Sequence, residues 1–239
     1  YLIPNITLTA MPLKVLYARY YYLSNDSKQA LDMLDKRDKD NPYLYTYETL
    51  KATIFNTLGV LDSTKFYSKK AFYGLPGNAV NFELYIKSLV QSKDTAAIKQ
   101  AFKDVTIKSD SQFWQIYFAG ILNLQSENDK ELKSQALNAK KRFPLDKRLQ
   151  VVSDFILYGQ SNIENAIKYN DSALTFFNSS DFIKASEYYS KASRLNPSDY
   201  TFFENAGVSF YQQKKYSKAI NYFTQVIDSL NPKTGKSEY

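Results

Sequence analysis

Closely spaced carboxylates are the first candidates for chemistry in this 239-residue chain. Asp32 with Asp35, Asp38 with Asp40, and Glu127 with Asp129 and Glu131 could supply the two acids that a glycosidase holds across a cleft. They stand among lysines in stretches that read as helix surfaces and turns, so solvated faces and helix-start acids account for them better. Thr234-Gly235-Lys236-Ser237 carries the Gly-Lys-Ser tail of a phosphate-binding loop. That loop, however, needs a glycine where Leu230 stands, and a strand before it. Lys140, Lys141, Arg142, Lys147 and Arg148 form a dense basic cluster suited to a phosphate or an acidic head group, and equally suited to complementing the end of a helix. Tyr17, Tyr20, Tyr21 and Tyr22 offer rings on which sugars or bases stack, but neighbouring helical positions scatter around the axis, so at most two share a face.

Composition removes most other chemistry. The chain has no histidine and no cysteine. The commonest proton shuttle near neutral pH, the commonest metal ligand, thiol nucleophiles and disulfides are therefore all absent. No metal site, cofactor or catalytic residue is expected, and the chain reads as a protein that is not an enzyme. Seven glycines and seven prolines are too few for a fold built on tight hairpins. Hydrophobic residues make up 44%, enough for a sizeable core in one or two domains.

The formal charge is +7, and the surplus is spread along the chain with few arginines, so no nucleic-acid footprint is expected. No apolar run reaches the ~18 residues that span a bilayer. A chain starting at Tyr1 implies an upstream part, with a signal peptide or membrane segment as candidates, so any membrane link is expected through that part alone. The lack of cysteine favours a periplasmic or other extracytoplasmic location over the cytoplasm. Sequons at Asn5, Asn25, Asn170 and Asn178 would matter only in a eukaryotic secretory pathway.

What organises the chain is a period. Pro42, Pro76 and Pro144 are spaced by 34 and then 68 residues. Blocks starting at Met11, Tyr45, Ala79 and Phe113 align Ala18, Ala52, Ile86 and Gly120, and three residues later Tyr21, Phe55, Leu89 and Asn123. Blocks starting at Ala166 and Tyr200 match Ala173 with Gly207, Phe176 with Phe210, Ala185 with Ala219, and Tyr189 with Phe223. A small residue where two helices cross, an aromatic one turn later and a terminal helix-breaking proline suit helix pairs that stack in series.

With these features, above all the run from Asp181 to Pro197, the chain resembles a tetratricopeptide repeat (TPR) array over about residues 11 to 233. The resemblance implies an all-α, right-handed α-solenoid of antiparallel helix pairs, with about 12–13 helices. The expected order is an extended lead at 1–10, an N-terminal array of four blocks at 11–145, a register break at 146–165, and a C-terminal pair at 166–239 followed by a truncated further helix. The break is read as an extra helix, Asp146 to Gly159, before a long one, Asn162 to Asn178.

In such arrays a partner segment lies in a concave groove lined by the first helix of each pair. Carried over by offset, the groove residues are Arg19 and Tyr22, then Thr46, Thr49, Thr53 and Asn56, then Glu83 and Lys87. The fourth block gives Trp114, Tyr117 and Ile121, and the last two give Asn170, Asp171 and Phe177, then Glu204, Asn205 and Tyr211. Trp114 can be read either as an apolar anchor for a ligand or as core. The carboxylate clamp of some TPR domains is not expected, because Val15, Thr49, Asn170 and Glu204 stand where it would want lysine.

The resemblance therefore implies a non-catalytic interaction scaffold for a protein or peptide segment. A narrower resemblance, carried by Leu61 to Asn78, Asn81 to Tyr85 and Lys233 to Tyr239, is to the soluble TPR regions of bacterial O-antigen ligase or polymerase-type membrane proteins. It implies an extracytoplasmic domain appended to a cell-envelope polysaccharide enzyme. A stand-alone adaptor and a carbohydrate-binding or carbohydrate-active helical protein are the alternatives.

Overall fold

The computed structural model describes residues 11–36, 45–124 and 129–230. Among them the chain is all-helical. The thirteen helices are α1 (Leu13–Leu23), α2 (Ser27–Asp35), α3 (Thr46–Thr57), α4 (Leu61–Gly74), α5 (Ala79–Gln91), α6 (Thr95–Asp104), α7 (Ser111–Leu122), α8 (Lys130–Arg142), α9 (Lys147–Tyr158), α10 (Gln160–Asn178), α11 (Phe182–Leu195), α12 (Tyr200–Gln212) and α13 (Tyr216–Leu230). The residues read as a register break form α9 and the start of α10, parted at Gly159 (φ 86°). No described helix is long and apolar enough to cross a membrane. The lead at 1–10, the carboxylates Asp38, Asp40 and Glu127, the sequon at Asn5 and the Gly-Lys-Ser tail lie outside the described residues.

Short polar residues start the helices. The side chains of Asp26, Asn78, Asp94, Asp110, Asp181 and Asp199 each accept a backbone N–H from the first turn of the helix that follows. Each satisfies a donor with no partner inside the helix, worth about 1 kcal/mol.

The turns inside the helix pairs share one backbone solution. Asn25, Gly59 and Lys93 have φ values of 61°, 71° and 53°, and Ser180 and Lys214 both have 61°. Within each set these left-handed residues are 34 positions apart. Behind each, the next N–H reaches back to the carbonyl of Tyr21, Phe55, Leu89, Phe176 or Phe210, at 2.8–3.0 Å. Those acceptors occupy the position the sequence marks as aromatic or apolar. The residue that packs the pair therefore also closes the helix, through a 6→1 bond of the Schellman type.

The chain divides into two compact units, residues 1–128 with 142–149, and residues 129–141 with 150–239. In the first unit Ala18, Ala52 and Ala71 are fully buried, together with Phe72, Phe82, Phe113 and Phe118. Burying each such aromatic side chain contributes about 1.5–3 kcal/mol. Gly120 sits against Ile86, and a Cβ added there would lie 2.6 Å from the Ile86 side chain. In the second unit Ala173, Ala185, Tyr189 and Ala206 form one core cluster, with Phe176, Phe177, Tyr188 and Tyr222 packed against it. Ala166, Ala192 and Phe202 form another. A hydrogen-bond chain runs through this unit, with Tyr222 OH donating to Ser190 Oγ (2.7 Å) and Ser190 donating to the Ser186 carbonyl (2.6 Å).

Candidate binding pockets

Two adjoining pockets of the first unit gather side chains from the first helices of its pairs. One, of about 420 Å³, is lined by Met11, Val15, Arg19, Tyr22 and Leu23 of α1 and its approach, by Thr46, Thr49, Leu50 and Thr53 of α3, and by Asn78, Val80 and Asn81 at the start of α5. Five residues assigned by offset, Arg19, Tyr22, Thr46, Thr49 and Thr53, thus come together. The other, of about 550 Å³, is lined by Asn56, Glu83, Ile86, Lys87, Val90 and Gln91, and by Gln115, Ile116, Ala119, Gly120 and Asn123 from α7. Asn56, Glu83 and Lys87 meet there, with Glu83 and Lys87 paired at 2.7 Å. Both volumes fall in the range of small-ligand sites.

The threonine strip is already hydrogen-bonded to its own helix. Thr53 donates to the Thr49 carbonyl (2.9 Å) and Thr57 to the Thr53 carbonyl (3.1 Å). The Thr49 proton is shared between the Tyr45 carbonyl (2.8 Å) and Asn81 Oδ1 (2.7 Å). With the Thr57 proton committed, the 2.8 Å contact between Tyr22 OH and Thr57 Oγ1 has Tyr22 as donor. Each of these hydroxyls keeps only its lone pairs for a ligand. Among the described residues Thr46 Oγ1, buried in the first pocket, finds no hydrogen-bond partner.

Asn81 is 1% exposed, flanked by core Phe82 and Tyr85, and its amide nitrogen donates to the Ala71 carbonyl (3.2 Å). The offset rule passes over it. A polar residue directly before the run Phe82, Tyr85, Leu89 was the available signal.

Three of the groove assignments fall on buried side chains of α7. Trp114, Tyr117 and Ile121 are 7%, 2% and 0% exposed. Phe102 of α6 stacks on Tyr117 with ring centroids 4.1 Å apart and meets Trp114 edge-on at 4.7 Å, while the indole N–H donates to the Lys108 carbonyl (3.1 Å). Trp114 is core. The α7 residues that do line the pocket are offset from these by one or two positions.

In the second unit Asp171, Glu204 and Tyr211 are exposed and Asn170 and Asn205 half-buried, but they line neither pocket. Tyr211 sits edge-on to Tyr216 at 5.6 Å. Phe177 packs edge-on against Phe182 at 5.3 Å, on the core side rather than in a groove.

The candidate chemical groups take structural places. Asp32 pairs with Lys36 (2.5 Å) and Asp35 with Lys51 (2.6 Å), while Asp129 accepts the N–H of Glu131 (2.9 Å) at the start of α8. Of the basic cluster, Lys140 points inward. It pairs with Asp154 and donates to Ser198 Oγ (2.9 Å), which donates to Tyr158 OH (3.1 Å). A lysine beside a hydroxyl invites comparison with a nucleophile and its base. Lys140, however, is the donor in both of its contacts, to Asp154 and to Ser198 Oγ, so it is not placed to take the Ser198 proton. Elsewhere, burial and a hydrogen bond to Asp104 push the Tyr73 phenol up to about 12.

The chain matches no protein-family model, and a search of curated proteins returns no match.

Proposed function

We propose that this chain is a non-catalytic interaction scaffold whose helix pairs stack as right-handed TPR-like solenoids, and that a partner segment binds along the groove made by the two pockets of the first unit. One observation carries the reading. Residues assigned to a groove by what the TPR resemblance implies, Arg19 through Lys87, line two pockets of the first unit instead of scattering over the surface. Hydroxyl and amide groups around an aliphatic floor suit an extended chain better than a reaction. A photo-crosslinking residue placed at Thr53 or Asn56, in cells expressing the chain, should label the same protein from both positions and not from Lys69 on the exposed side of α4. Absence of a shared adduct overturns the groove. The likeness of Leu61 to Asn78 and Asn81 to Tyr85 to ligase-associated TPR regions supports the narrower reading, an extracytoplasmic domain of a cell-envelope polysaccharide enzyme. Protease added outside spheroplasts should then clip the native product, and protection of that product counts against it.

A further inference from the structure

Away from the pockets, we infer that the turn between α8 and α9 is a docking tip for an anionic bilayer surface, with Leu145 entering the acyl boundary while Arg142, Lys147 and Arg148 meet the lipid head groups.

The first ground is Leu145 itself, which is 93% exposed. Its place in the repeat, directly after Pro144, is taken by Gly77 after Pro76 and by Ser198 after Pro197. Both of those residues are engaged with the protein. A Cβ on Gly77 would stand 3.0 Å from Ile107 Cδ1, and Ser198 hydrogen-bonds Tyr158. Leu145 faces water instead, where an apolar side chain adds nothing to the stability of the fold.

The second ground is charge. Residues 142–148 hold three cations and one acid, and the cations are all exposed. Among the described residues no acid pairs with Arg142, Lys147 or Arg148. The acid, Asp146, is occupied within the protein, accepting from the Leu149 N–H (3.0 Å) and from the Gln115 side-chain amide (2.7 Å). Asp110, brought near by the hydrogen bond between Ser111 and Asp146, caps α7 through the Gln112 N–H (2.8 Å) and is offset by Lys108 in the same turn. The macrodipole accounts for Arg142 at the end of α8. It does not account for Lys147 and Arg148, which open α9, where acids would be favoured.

The third ground is that the two features coincide. Leu145 is within three residues of every one of these cations, so their backbones lie no more than about 11 Å apart. A free phosphate or a nucleic acid would engage the cations and leave Leu145 in water. A protein would have to supply a pocket for one protruding residue with an acidic rim around it. An anionic bilayer offers both at once, an apolar layer beneath a sheet of negative charge. Such a contact is weak and reversible, suited to orienting the chain at a surface.

The test is sedimentation of the 239-residue chain with sucrose-loaded vesicles at millimolar lipid, made either of phosphatidylcholine alone or of equal parts phosphatidylcholine and phosphatidylglycerol. The chain should partition onto the mixed vesicles at low salt, stay off phosphatidylcholine, and be released at high salt. Each of Arg142→Gln, Lys147→Gln and Arg148→Gln should weaken partition about fivefold, and the three together about a hundredfold. Leu145→Ser should weaken it about fivefold. All four side chains are exposed, so thermal melts of these variants should match the parent. The chain has no cysteine, so an environment-sensitive dye on Leu145→Cys reports the tip alone. Its emission should rise and shift to the blue on mixed vesicles, whereas the same dye on Lys69→Cys of α4 should not respond. Equal binding to both vesicle types, or binding to neither, overturns the inference. So does partition that falls with the cations yet ignores Leu145→Ser, which would mark a site for polyanions, as would poly(U) RNA displacing the chain from mixed vesicles equally well with and without Leu145.

Discussion

Gly207 of α12 lies under the ring of Phe223 of α13, so close that a Cβ on Gly207 would stand 2.7 Å from Phe223 Cε1. These two residues sit at the positions where the period calls for a small side chain and an aromatic one. The small residue is thus the site over which the ring closes. Gly207→Val should destabilise the second unit by about 1–3 kcal/mol, since the overpacking outweighs the helix propensity gained over glycine. Paired with Phe223→Ala, the same change should cost less than the two separate effects combined. Chemical denaturation followed by far-UV circular dichroism checks this, and simple additivity would show that the two residues do not oppose each other.

Trp114 is expected to behave as core. Trp114→Ala should cost about 3–5 kcal/mol in the first unit, and the indole N–H bond to Lys108 makes Trp114→Phe a milder change in the same direction. Loss of partner capture in such a variant would report unfolding. Gln91→Ala and Ile116→Ala test the pocket while leaving the core whole. Thermal melts of all four variants separate the two groups, and an unchanged melt for Trp114→Ala would return Trp114 to the surface.

The left-handed turns can be improved. Lys93 and Lys214 hold φ values of 53° and 61° that favour glycine, as Gly59 has at the equivalent turn. Lys93→Gly and Lys214→Gly should each stabilise their unit by about 1 kcal/mol, read as a rise of a few degrees in Tm. An equal or lower Tm for both would show that neither backbone carries strain.

Asp146 should give the first unit an acid-sensitive share of its stability. The Ser111 hydroxyl, the Leu149 backbone N–H and the Gln115 amide hold its carboxyl below the usual carboxylate range. A depressed folded-state value means that the contribution is fully present above about pH 4, where the unfolded carboxyl is ionised. It disappears as the pH falls through the lower folded-state value. The stability gap between the protein and Asp146→Asn should therefore be widest near neutrality and close in acid. A gap that is constant between pH 7 and pH 3 would remove the carboxylate from the account.

Much of the helical order is legible because packing at a helix crossing is strict. Ala18, Ala52 and Gly120 must be small, and the 34-residue spacing betrays them. The turns are hidden, because only Gly59 among their left-handed residues is a glycine, and the closing bonds run between main-chain atoms. The pocket shows the same division. The face of α3 follows from offset, since that helix keeps its polar strip apart from buried Tyr47, Leu50 and Ile54. The face of α7 does not, because six of its twelve residues are buried, Phe113, Trp114, Tyr117, Phe118, Gly120 and Ile121, and an aromatic at a groove offset cannot be told from one beside it in the core.

The turn geometry also bears on how such a chain can change over time. A closure built from carbonyls and amide hydrogens places no claim on the identity of the residue that makes the bend, and Asn, Gly, Lys and Ser all serve. Drift at these sites costs about 1 kcal/mol at most turns and leaves the three-dimensional repeat in register. Divergence can therefore erase the written period from a block while its helices go on meeting at the same interval, with the small residue at the crossing the last part of the pattern to fade.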